Sequence, residues 1–83
     1  MDIKILGPGC TNCVTLERIT HEALAQLGID ATVGKVTDIQ DIMAYGVMST
    51  PGLVIDDVVV FSGRVPTPTR VRELITAAAN PSA

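Results

Sequence analysis

Seven residues, Gly7-Pro8-Gly9-Cys10-Thr11-Asn12-Cys13, constrain this chain more than any other stretch. Before them lies a short apolar run, Ile3 to Leu6, and after them Leu16, Ile19, Ala23, Leu24 and Leu27 recur at helical spacing. A buried strand, a Gly-Pro-Gly turn and an amphipathic helix follow from that order. The two cysteines, the only ones in the chain, therefore open a helix. Unpaired backbone N–H groups and the helix dipole favour negative charge there, so a thiolate is stabilised at that end. The thiolate is the reactive form of cysteine, both in disulfide exchange and toward soft metals.

Eighty-three residues make one domain, spanning 1–83, with no room for a second. Apolar residues are 47 % of the chain but aromatics only 2 %, so the core has to be aliphatic. A structural staple is a poor explanation for the cysteines, because a bridge over so short a loop constrains the unfolded chain least. Nine acidic against six basic residues give a net charge of −3. No basic run exists, which argues against nucleic acid as a partner. Met1-Asp2-Ile3-Lys4 does not read as a signal peptide, and an apolar run such as Val58 to Phe61 is far too short to span a bilayer. The expectation is a soluble, cytoplasmic, monomeric protein, where two cysteines favour redox or metal chemistry over a structural bridge.

Gly28 caps the first helix, and Ala31 to Val36 reads as a second strand interrupted at Gly34. Thr37-Asp38-Ile39-Gln40 fits a capping box, with Thr37 as cap, ahead of a short helix with an Ile39-Ile42-Met43 stripe that Gly46 stops. Gly52 to Ile55 and Val58 to Phe61 form a hairpin through Asp56-Asp57. Thr67-Pro68 starts a last helix carrying Val71, Leu74, Ile75 and Ala78, which Asn80-Pro81 ends before a frayed tail. The order is β-α-β-α-β-β-α. A parallel first strand pair, an antiparallel hairpin and right-handed crossovers predict an α/β fold with a four-stranded mixed sheet flanked by helices.

This order, with Cys-x-x-Cys opening the first helix and Ser49-Thr50-Pro51 directly before the third strand, resembles the thioredoxin/glutaredoxin fold. Gly63 after the fourth strand fits as well, and the likeness runs from Ile3 to Ala78. It is most similar to the small thioredoxin-like group of redox-active disulfide proteins. The departures are specific. Gly9 stands where thioredoxins have tryptophan, and Thr11-Asn12 separates the cysteines in place of Gly-Pro. The acidic residue that thioredoxins bury beneath the dithiol has no clear counterpart, and glutathione-contacting residues are not evident.

The resemblance implies a thiol–disulfide oxidoreductase, a protein-disulfide reductase in which Cys10 attacks and Cys13 resolves. It also implies that Pro51 is cis and that Thr11, Asn12, Thr50 and Pro51 meet the substrate. No cofactor is expected beyond the redox-active Cys10–Cys13 pair. The expected partners are disulfide-containing proteins and an upstream thiol or flavoprotein disulfide reductase. Cys10 is expected toward solvent with a pKa below that of a free thiol, and Cys13, one turn further in, more buried.

Other residues receive simpler readings. His21 falls off the apolar stripe and is solvated; Tyr45 covers the core edge; Lys4 points to solvent; Met43 and Met48 fill gaps; Asp56-Asp57 is a turn pair without a metal partner. The alternative function is a Cu(I)- or Zn(II)-binding metallochaperone-like module using the same two thiolates. Such modules also place Cys-x-x-Cys between a strand and a helix, but end on a strand, whereas this chain ends on a helix. A third reading is a thioredoxin-like adaptor whose dithiol only senses redox state.

Overall fold

The computed structural model describes residues 1–79; the expected Asn80-Pro81 terminator and frayed tail lie outside them. Seven elements follow one another: β1 (Asp2–Leu6), α1 (Thr11–Leu27), β2 (Thr32–Val36), α2 (Ile39–Ala44), β3 (Gly52–Ile55), β4 (Val58–Ser62) and α3 (Pro68–Ala79). The strands form one sheet in the order β2-β1-β3-β4, parallel between β1 and β2 and antiparallel elsewhere. This is the mixed four-stranded sheet that the element order predicts. Gly34 does not break β2; it pairs in register with Lys4.

Alternation along the two central strands builds a core on each face of the sheet. Ile3, Ile5, Leu53 and Ile55 face one side, where Leu16, Ile19, Ala23 and Leu24 of α1 meet Val71 and Ile75 of α3. Leu6 and Val54 face the other, where they meet Ile42 and Val47. The buried apolar side chains are aliphatic apart from Cys13, as the composition requires.

The helix ends are specified locally. Gly28 closes α1 in the left-handed conformation at φ 67°, and the Thr67 hydroxyl accepts from Arg70 N at 3.2 Å to open α3. Asp56 and Asp57 both have positive φ, 49° and 66°, the pattern of a type I′ hairpin. Asp56 fits because it is tied down twice: its carboxylate accepts from Asp2 N at 2.8 Å, and its own N–H donates to Asp2 O at 2.7 Å. A register shift between Leu53 and Val54 leaves Val60 as the extra residue of a bulge in β4.

Around α2 the expectations need correction. The cap is Asp38, not Thr37: the helix begins one residue later, and the Asp38 carboxylate accepts from Gln40 N at 2.8 Å. The expected Ile39-Ile42-Met43 stripe is not a core stripe. Six residues are under two turns, so only Ile42 reaches the sheet, while Ile39 and Met43 are 61 % and 65 % exposed. Met48 is no gap-filler either; it is 99 % exposed.

Lys4 is also corrected. On β1 it alternates with Ile3 and Ile5, which turns it toward the α2 face, where it is half-buried. Its Nζ donates to Tyr45 Oη at 3.2 Å and lies 3.8 Å from Asp2 and 3.7 Å from Asp57. The Tyr45 hydroxyl first, then the two carboxylates, push its pKa up. Tyr45 does cover the core edge as expected, and it uses its polar end to hold Lys4.

Candidate functional site: a dithiol at a helix start

β1 ends at Leu6, the chain turns through Gly7-Pro8-Gly9, and Cys10 becomes the N-cap of α1 with extended backbone (φ −68°, ψ 167°). Its carbonyl accepts the first helical bond, from Val14 N at 3.0 Å, and its Sγ accepts from Cys13 N at 3.3 Å. A sulfur thus takes the capping role that a serine or aspartate oxygen commonly fills. Both thiols are free; Cys10 is exposed and Cys13 is buried.

The two sulfurs are electrostatically unequal. The Cys13 thiol hydrogen bond, then the backbone N–H of Cys13, lower the Cys10 pKa, and the backbone at Asn12 acts in the same sense. Burial first, then the hydrogen bond to Cys10, push the Cys13 thiol up. Of the two thiols, Cys10 is therefore the easier to ionise, and Cys13 the harder. Thr11 and Asn12 are exposed in the first turn, and neither removes an N–H as proline would.

Gly7 makes room for this arrangement. A Cβ placed there would lie 2.1 Å from Cys13 Sγ and 3.9 Å from Thr50 Cβ. Its N–H is also fixed, donating to Val36 O at 2.9 Å, so the backbone cannot easily back away. Gly7→Ala is expected to cost about 1–3 kcal/mol by overpacking. It should also raise the Cys10 pKa, because the displaced Cys13 no longer hydrogen-bonds it. Urea unfolding and pH-dependent alkylation of the variant check the two effects.

Thr50 and Pro51 come to the same place from the far side of the sheet, since the Gly7 position sees both Cys13 and Thr50. The Thr50–Pro51 peptide bond is cis, Pro51 is buried, and its carbonyl accepts from Gly63 N at 3.0 Å. Neither the N–H nor the carbonyl of Thr50 takes a partner among the described residues. One backbone donor and one backbone acceptor are thus open beside the dithiol.

Next to Thr50, an apolar groove of about 260 Å³ runs between Pro8, Ile39, Ile42, Met43, Val47 and Met48. The exposed side chains of α2 and the following loop line it, so these are residues that the sequence reading missed as site neighbours. The signal was available only in part: a helix too short to bury its whole apolar stripe leaves some of it exposed beside the loop that it feeds. His21 stays exposed on α1, and Asp56-Asp57 stays in the hairpin turn. No cluster of three or more His, Cys, Asp or Glu side chains able to hold a metal occurs among the described residues.

A family model described as a thioredoxin domain matches residues 1–76. This chain belongs to the thioredoxin family. Two curated relatives, both called thioredoxin, are similar over most of their length. The one from Methanocaldococcus jannaschii is 41 % identical over 71 residues, covering 86 % of this chain and 81 % of its own. The one from Methanothermobacter thermautotrophicus is 36 % identical over 76 residues, covering 92 % and 99 %. The dithiol therefore sits in a thioredoxin-family oxidoreductase, in a thioredoxin-like fold. No helix among the described residues is long and apolar enough to cross a membrane.

Proposed function

We propose that this thioredoxin-family protein is a dithiol reductase of protein disulfides, with Cys10 as nucleophile and Cys13 as resolving thiol. The observation that carries the reading is the asymmetry of the pair: an exposed Cys10 that accepts from Cys13 N and has its pKa lowered, beside a buried Cys13 whose pKa is pushed up. Cys10 thiolate attacks one sulfur of a substrate disulfide, and the other substrate sulfur leaves with the electron pair. Cys13 then attacks Cys10 Sγ, releasing the second substrate sulfur and closing the Cys10–Cys13 disulfide. Two electrons pass to the substrate. The disulfide is reopened by an upstream thiol or flavoprotein disulfide reductase, so no bound cofactor is needed.

The substrate segment pairs by strand addition with the open N–H and carbonyl of Thr50, over Pro51, while the Thr11-Asn12 turn meets it from the other side. The relatives' name supports disulfide-bearing proteins as substrates. The protein works as a cytoplasmic monomer in this reading.

Alkylation across pH tests the assignment. Cys10 pKa is lowered, so its thiolate persists as pH falls below the ordinary thiol range, and its labelling midpoint lies below that of a free thiol. The Cys13 pKa is raised, so its labelling midpoint lies above that of a free thiol. Oxidation protects both thiols at once. Equal midpoints for the two, or one thiol still labelling after oxidation, would contradict the assignment.

A further inference from the structure

Four of the six lysine and arginine side chains are committed to partners within the protein. Lys4 meets Tyr45, Asp2 and Asp57, Arg18 meets Glu22, Lys35 meets Glu17, and Arg72 donates to Gln26 and Thr69. The guanidiniums of Arg64 and Arg70 donate to no oxygen among the described residues. Even Glu73, three positions after Arg70 on α3, does not pair with it. In a chain of net charge −3, the two cations left without an acceptor share one place.

That place is an open hollow between the end of β4 and the start of α3, lined by Phe61, Arg64, Val65, Pro66, Thr67 and Arg70. The Arg64 guanidinium lies 5.9 Å from the centroid of the Phe61 ring. A cation–π contact of this kind steers the group without using its N–H donors. The hollow adjoins the face on which substrate is proposed to lie. Ser62 pairs with Gly52, Gly63 N donates to Pro51 O at 3.0 Å, and a Cβ on Gly63 would sit 3.7 Å from Ser49 Cβ. Arg64 follows Gly63, so its Cα lies at most about 14 Å from that of Thr50, or about four residues of extended chain.

We propose that Arg64 and Arg70 form a carboxylate subsite for the substrate segment, so that this dithiol prefers disulfides flanked by aspartate or glutamate. This rests on the dithiol reading above and adds the charge of the segment that the dithiol accepts. Each guanidinium presents a planar fork of N–H donors that matches a carboxylate. The sign of the preference separates the subsite from the field of the whole protein. A net charge of −3 by itself attracts basic segments and repels acidic ones, whereas the two open arginines reverse that locally.

Peptide dimers test this. Each is joined by one disulfide, carries a self-quenching fluorophore, and has Glu, Gln or Lys two to four positions from the cysteine on both sides. Catalytic amounts of the protein reduce them with dithiothreitol, and each rate is corrected for dithiothreitol alone. The expected order of kcat/KM is Glu above Gln above Lys, with Glu over Gln by about fivefold at low salt, as suits two exposed charge contacts. The ratio should shrink as salt is raised. It should fall toward one in Arg64→Gln and in Arg70→Gln, and the double Arg64→Glu, Arg70→Glu variant should favour the Lys peptide. Arg72→Gln makes the same change of charge outside the hollow and should keep the wild-type ratio. A wild-type ratio of one or below, or an equal fall in Arg72→Gln, overturns the subsite and leaves the dithiol reading standing. No reduction of any peptide beyond dithiothreitol alone overturns the dithiol reading, and the subsite with it.

Discussion

Cys10→Ser is expected to abolish disulfide reduction, leaving only the rate of the added reductant, whereas Cys13→Ser is expected to stop after one half-reaction. The difference follows from geometry. A serine at position 10 keeps the N-cap, since its oxygen can accept from Cys13 N as the sulfur does, so the fold survives and only the nucleophile is lost. With Cys13 replaced, Cys10 still faces solvent and still receives the backbone N–H groups, so it attacks, but nothing displaces the substrate. A stable mixed disulfide through Cys10 should accumulate and be visible by mass spectrometry. Trapping through Cys13 in the Cys10→Ser protein at a comparable rate would reverse the roles.

The second large effect is on stability. Leu16 is completely buried on α1, one turn beyond Cys13, and packs into the cluster that joins α1, β1, β3 and α3. Leu16→Ala is expected to destabilise the protein by about 2–5 kcal/mol, since the lost methyl groups leave a cavity that a rigid four-element junction cannot close. Against a total of about 5–15 kcal/mol for a domain, that is a large share. Urea denaturation would show a midpoint shift at unchanged slope. The dithiol should lose reactivity in step with unfolding and not before, because the helix start that acidifies Cys10 belongs to the same cooperative unit.

The parts that sequence could reveal were those specified by neighbours in the chain. The Gly-Pro-Gly turn, the apolar run before it and the helical stripe after it dictated strand, turn and helix start within ten residues of Cys10. Asp56-Asp57 between two β-branched runs identified the hairpin, and Thr67-Pro68 the start of α3. Residues whose roles depend on distant partners were not legible. Lys4 reads as a solvated strand lysine until Tyr45, 41 positions away, is brought over it. Glu17 reads as one more polar position on an amphipathic helix until β2 sets Lys35 beside it. Gly7 looks like a turn residue before a proline, yet what excludes a side chain is the Cys13 sulfur packed against it. Met43 and Met48 read as core fillers because hydrophobicity does not reveal that α2 is too short to bury Met43, or that Met48 lies exposed in the loop after it. Even Asp38, adjacent to the expected cap at Thr37, won that position by a shift of one residue.

If the Cys10–Cys13 pair turns over protein disulfides, it accelerates their reduction by a small dithiol. Reduction of insulin's inter-chain disulfides by dithiothreitol, followed by the turbidity of the released chain, tests it most directly. With catalytic amounts of this protein, precipitation should begin earlier and proceed faster in proportion to enzyme, and Cys10→Ser should match the no-enzyme control. A wild-type time course indistinguishable from that control, from a folded protein that instead binds Cu(I) tightly through both thiolates, would contradict the account.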